Sequence, residues 1–134
     1  MPRLRSLAVP ALIAATLVTL TACVGQQGPF ADLDTDREAD DTLPQLENHA
    51  YEHVDVASSR FVGEHEGTSL WLAHDVEGSG ACLIADAGEG EWNVGCGGDT
   101  GLTVDGMAGL FAVVPNNATA PEGATQISEN VYAW

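Results

Sequence analysis

The sequence predicts a mainly β fold: a small antiparallel meander sheet or sandwich with a short N-terminal helix, preceded by a signal peptide and a disordered acidic tether. Three observations lead there. Apolar runs of strand length recur between Phe61 and Val114, separated by glycine-rich turns. Two of those runs, paired antiparallel, bring Cys82 opposite Cys96 on one face. The chain also starts with a basic residue pair, an apolar run from Leu7 to Leu20, and small residues before Cys23.

That start reads as a secretory signal ending in a lipobox, Leu20-Thr21-Ala22-Cys23. The 14-residue run from Leu7 to Leu20 is short for a bilayer span, which takes about 20 residues, and suits the apolar region of a signal peptide. The small side chains at 21 and 22 fit a narrow peptidase cleft. The Cys23 thiol is then the expected lipidation site, and residues 1–22 the segment removed. Lipid on Cys23 places the chain on the extracytoplasmic face of the cell membrane.

Residues 23–43 are expected to be a disordered, lipidated tether. Six of the ten residues from Asp32 to Asp41 are acidic and no hydrophobic period survives among them. Asp32, Asp34 and Asp36 match the opening of an EF-hand loop, but Arg37 and Leu43 stand where its Gly and closing Glu belong. Domain 44–134 begins with Pro44, after which Leu46, Ala50, Val54 and Ala57 recur at helical spacing. His49 and His53, four apart, would share a face of that helix and offer the start of a metal site.

After Ser59 the period changes to two. Arg60 to Glu64 and Ser69 to Asp75 form a strand pair around His65-Glu66-Gly67-Thr68, with Leu70 and Leu72 on one face and Trp71 and Ala73 on the other. Ala81 to Ala85 is apolar throughout and belongs inside a sheet. Pairing Ala81–Asp86 with Trp92–Gly97 sets Cys82 opposite Cys96, Ile84 opposite Val94 and Asp86 opposite Trp92. Opposed Cα atoms at a non-hydrogen-bonded position lie about 4.5 Å apart, within reach of a disulfide. Two further strands follow, at Leu102 to Asp105 and Met107 to Val114, then an exposed loop at 115–123 and a closing strand ending at Trp134. The glycines at 95, 97, 98 and 101 read as turn chemistry, because no Lys follows them as a phosphate loop requires.

Charge narrows the function. Of 4 Lys and Arg residues, Arg3 and Arg5 lie in the signal, which leaves Arg37 and Arg60 against 20 Asp and Glu, a formal −18 for the exported part. Such a surface repels nucleic acid. It attracts cations, and a basic protein, a basic peptide or a cell-wall component are the expected partners besides the membrane. No nucleophile elbow, Ser-His-Asp order or zinc set is recognisable, so no catalytic residue and no cofactor are expected. The expected role is a non-catalytic binding module at the cell envelope; the alternative is a metal- or cation-binding lipoprotein using His49 and His53.

The lipobox, the acidic segment, the run Ser58-Ser59-Arg60-Phe61-Val62-Gly63-Glu64-His65, and then Leu70-Trp71-Leu72, Cys82-Leu83, Trp92 and Cys96-Gly97-Gly98 together resemble a family of small lipoproteins of actinobacteria. The resemblance implies an envelope location and a cystine between Cys82 and Cys96, and carries over no catalytic residue.

Overall fold

A computed structural model describes residues 27–134. Eight strands make two four-stranded antiparallel sheets. In the first, β1 (Arg60–His65), β2 (Thr68–His74), β3 (Ala81–Gly88) and β4 (Glu91–Gly97) lie in chain order as a meander. In the second, β5 (Leu102–Gly106), β6 (Gly109–Val113), β7 (Thr125–Gln126) and β8 (Val131–Ala133) are ordered β5-β6-β8-β7. The expected mainly β fold is present, as two packed antiparallel sheets.

Alternation sorts the side chains of the first sheet. Leu70, Leu72, Leu83 and Ala85 face inward and meet Val104, Phe111, Val113, Val131 and Ala133 of the second sheet in the main core. Trp71, Ala73, Cys82, Ile84 and Val94 face outward and are covered by Leu43, Leu46, Tyr51 and Val54. Both faces of this sheet are therefore apolar, which is why β3 is apolar from Ala81 to Ala85.

The β1–β2 connection is a two-residue turn with positive φ at both Glu66 (47°) and Gly67 (84°), the geometry that matches strand twist in a tight hairpin. Gly95 has a different task. It lies on the inner side of β4, where a Cβ would sit 2.8 Å from Val104 Cγ2, so its lack of a side chain lets β5 pack directly on β4. The chain turns the corner between the sheets at Gly98–Gly101.

The sandwich has two distinct ends. At one, Ala81 pairs with Gly97, the 98–101 turn follows, Leu102 pairs with Val113, and Asn116 binds the incoming chain at Gly28 and Pro29. At the other lie the β1–β2, β3–β4 and β5–β6 turns, joined where Asn93 bonds the backbone of Ala108 and Gly109 and where Thr68 Oγ1 donates to Ala108 O.

Two expectations are corrected. The signal peptide, Cys23 and residues 24–26 lie outside the described residues, but from Phe30 onward the expected tether is folded. Phe30 is 1% exposed and Leu33 6%, both inside the main core. Two of the acidic residues serve as acceptors that fasten the segment to the domain. Asp32 Oδ2 accepts from Ser128 Oγ (2.6 Å) and Asn130 N (3.0 Å), while Asp41, nearly fully buried, accepts from the backbone N–H of Glu38 and Phe61 at 2.6 Å each. Asn130 completes the attachment: its Oδ1 accepts from Asp32 N (3.0 Å), and its Nδ2 donates to Val114 O (2.9 Å) and Asn116 Oδ1 (3.0 Å).

The expected short helix is the second correction. Residues 44–57 form two 3-10 turns, Asn48–Tyr51 and Val56–Ser58, with no α-helix. Between them the backbone pairs with the end of β2: Asp55 N donates to His74 O and Val76 N to His53 O, around an isolated Val54–Asp75 bridge. These sheet bonds occupy groups that a continuous helix would use internally. Ala50 and Val54 keep their buried places, but Ala57 is exposed.

Two outcomes follow. Phe30→Ala should lower unfolding stability by about 3–5 kcal/mol in urea titration, as for a buried aromatic truncated to a cavity; no change would return residue 30 to an unstructured tether. Cys82 and Cys96 are bonded, with sequence separation 14, so replacing both with alanine should cost about 3 kcal/mol in the same measurement.

Candidate functional site

The outer face of the first sheet is roofed by residues 43–54 and left open along β4. There the register dictates what comes together. Asp86 pairs with Trp92 and Gly88 with Glu91 across the β3–β4 hairpin, and the roof brings Leu46 and Glu47 against them. The result is an open groove of about 460 Å³, walled by Leu46, Trp92 and three carboxylates, Glu47, Asp86 and Glu89. Trp92 also lines a second groove of about 290 Å³, with His49, Ala50, His53, Val94 and Cys96 around it. The two meet at the indole.

Trp92 is half-buried, and its ring lies 5.5 Å from that of His49, tilted by 55°. His49 Nδ1 is 3.5 Å from Glu47 Oε2, with both side chains mostly exposed; an exposed pair of this kind contributes little to stability. Tyr51 secures the roof behind them, donating from its hydroxyl to Pro44 O at 2.5 Å. Burial, and then the negative Asp86 carboxylate, push the Tyr51 phenol up to about 12.

The floor of the second groove is the cystine. Cys82 is fully buried and Cys96 is exposed. Both sulfurs rest on the His53 carbonyl oxygen, at 3.6 and 3.9 Å. Bonded sulfur carries no proton, so this is a packing contact that pins the roof to β3 and β4.

Among the described residues no arginine reaches the groove. Arg37 donates to Ala57 O and Ser59 Oγ, and Arg60 to Thr35 O, Ser58 O and Ser59 O, which staples the 30–43 segment to the start of β1. Among the described residues neither arginine forms an ion pair with a carboxylate; the ion pairs present are His49 with Glu47 and His65 with Glu66. The carboxylates around Trp92 are thus left without a neighbouring permanent cation.

The histidines separate. His49 and His53 line one groove, His65 lies at the β1–β2 turn with its Nε2 buried and without a hydrogen-bond partner, and His74 ends β2. Among the described residues no group of three His, Cys, Asp or Glu side chains is placed to hold a metal. The tryptophans separate too. Trp71 is 9% exposed, donates from Nε1 to Asp40 O at 3.0 Å and packs edge-on to Phe61, so it belongs to the core. Asp86, Glu89, Glu47 and Tyr51 were not among the expected site residues. The signal for one of them was present, since the Cys82–Cys96 register already sets Asp86 opposite Trp92.

Comparison with protein-family models, with curated proteins and with solved structures returns no match for this chain.

The Tyr51 environment has a measurable signature. The fold raises this phenol from the ordinary value near 10 to about 12. Stability from keeping it protonated is therefore complete below pH 10, and is lost between 10 and 12, where the unfolded chain has given up its proton and the folded chain gives up its own last. Ultraviolet titration should show one late-ionising tyrosine, and Asp86→Asn should bring it down toward 10.

Proposed function

We propose that the chain is a lipid-anchored extracytoplasmic lipoprotein, held in the membrane by lipid on Cys23, that acts as a non-catalytic binding module for a basic partner. One observation carries the binding reading: the groove at Trp92 joins a half-buried indole to three carboxylates that no arginine among the described residues neutralises. An aromatic face beside negative charge suits a side chain with an apolar stem and a cationic head, as in Lys or Arg of a protein or peptide. Electrostatic attraction of this kind speeds encounter and weakens with salt. The anchoring reading rests on the lipobox.

The second reading, a metal- or cation-binding lipoprotein, draws support from His49 and His53 lining one groove. Two histidines are fewer than the ligand count of a structural zinc site.

Both readings are separated by a thermal-melt screen of the mature chain. A basic peptide at about 100 times its dissociation constant should add about 2.7 kcal/mol, an effect reduced by raised salt and by Trp92→Ala. A shift with Zn²⁺ or Cu²⁺ alone, abolished by replacing His49 and His53 with alanine, would replace the peptide reading with the metal one. Cys23→Ala should release the protein from the membrane fraction, and retention there would overturn the anchor.

A further inference from the structure

The start of the described chain and the groove lie at opposite ends of the sandwich. The chain arriving from residue 23 is captured at Gly28, whose carbonyl accepts from Asn116 Nδ2 (3.1 Å), while Pro29 O accepts from Asn116 N (2.8 Å). Asn116 is itself bonded to Asn130, which holds Val114 O just beyond β6. This is the end where Leu102 pairs with Val113 and Ala81 with Gly97. Trp92, Asp86 and Glu89 sit at the end of the β3–β4 hairpin turn, beside the β5–β6 turn that Asn93 binds.

Magnitudes decide the orientation. From Cys23 to Gly28 is five residue steps, which span at most about 17 Å even when fully extended. From Ala81 to Gly88, along the 8 residues of β3, the sheet is about 23 Å long. An inverted molecule, standing on its Trp92 end, would lift Gly28 at least that far from the bilayer. The connection is too short to allow it.

We infer that the anchored protein stands on the end that carries Gly28, Asn116 and the 98–101 turn, so that the Trp92 groove opens away from the bilayer. This rests on the proposed lipidation of Cys23 and goes beyond it, because lipidation alone leaves every face equally free to meet the membrane. The arrangement presents the groove to a partner approaching from outside, or extending from the cell wall, and withholds it from the headgroups of the protein's own membrane. The opening lined by His53, Asp75 and Glu77 beside Gly97 and Gly98 lies at the membrane-side end.

The test uses the full chain, expressed with its own signal, purified in detergent and returned to phosphatidylcholine vesicles. A fluorophore is attached at one of two exposed positions remote from the cystine: Ala118→Cys, just beyond Asn116, or Met107→Cys, in the β5–β6 turn, where the native side chain is 72% exposed. Headgroup spin-labelled lipid, a short-range quencher, should quench the label at 118 several-fold more than the label at 107. Equal or reversed quenching in protein that floats with the vesicles would overturn the orientation and leave the anchor standing. Protein that does not float with the vesicles and lacks the mass of the lipid would overturn the anchor and the orientation together.

Discussion

The pairing of β3 with β4 is the constraint on which the rest of this structure depends. Strand side chains alternate, so a slip of one residue would turn each strand over relative to its neighbour. With Cys82 bonded to Cys96, Ile84 and Val94 must face the roof, and Gly95 and Gly97 must face β5. The first consequence is the outer apolar surface that residues 43–54 cover. The second is the close approach that lets the chain cross from one sheet to the other within the 98–101 turn. The third is the placement of Asp86 beside Trp92. One covalent link thus stands behind a core face, a corner and a groove.

Most of the strands were legible because they rest on local signals, period two, glycine punctuation and cysteine parity, whereas their order in the second sheet was not. β1 to β4, the Cys82–Cys96 register, β5, β6 and β8 follow from them. The N-terminal segment was not legible for an opposite reason. Its acidic residues read as a solvated run, yet Asp32 and Asp41 are acceptors for groups that lie far off in the chain, Ser128 and Asn130 in one case and Phe61 in the other. Only Phe30 and Leu33, three apart, hinted at a buried face. Residues 44–57 show the converse error. Their helical spacing is real, but the backbone is drawn into bonds with His74 and Val76, and tertiary pairing overrides the local period. At the groove the pairing of Asp86 with Trp92 was legible and the rest of the acidic wall was not, because Glu47 reaches Trp92 only through the roof.

The sparse basic residues are spent on architecture. Arg37 and Arg60 each donate to backbone carbonyls, which satisfies acceptors where irregular chain has no ladder of its own. A lysine in either place would offer a single point of attachment in place of a planar fork. The surplus of negative charge is consequently distributed over the surface rather than paired off, and the proposed partner would supply the compensating cations.

The bond between Asp32 and Asn130 joins residues 98 positions apart, and this has a bearing on how the molecule is assembled. The β1–β2, β3–β4 and β5–β6 hairpins need only neighbouring residues and can close early, whereas contacts between distant residues must wait for the entropy of a long loop to be overcome. The 30–33 segment packs on β1 and β2, which follow it soon in the chain, yet its bonds to Ser128 and Asn130 cannot form until the last strand has been made. In a chain that leaves the ribosome or crosses a membrane N-terminus first, the polar attachment of this segment is therefore incomplete until almost the whole sequence has emerged. A segment made early is thus fastened by residues made late.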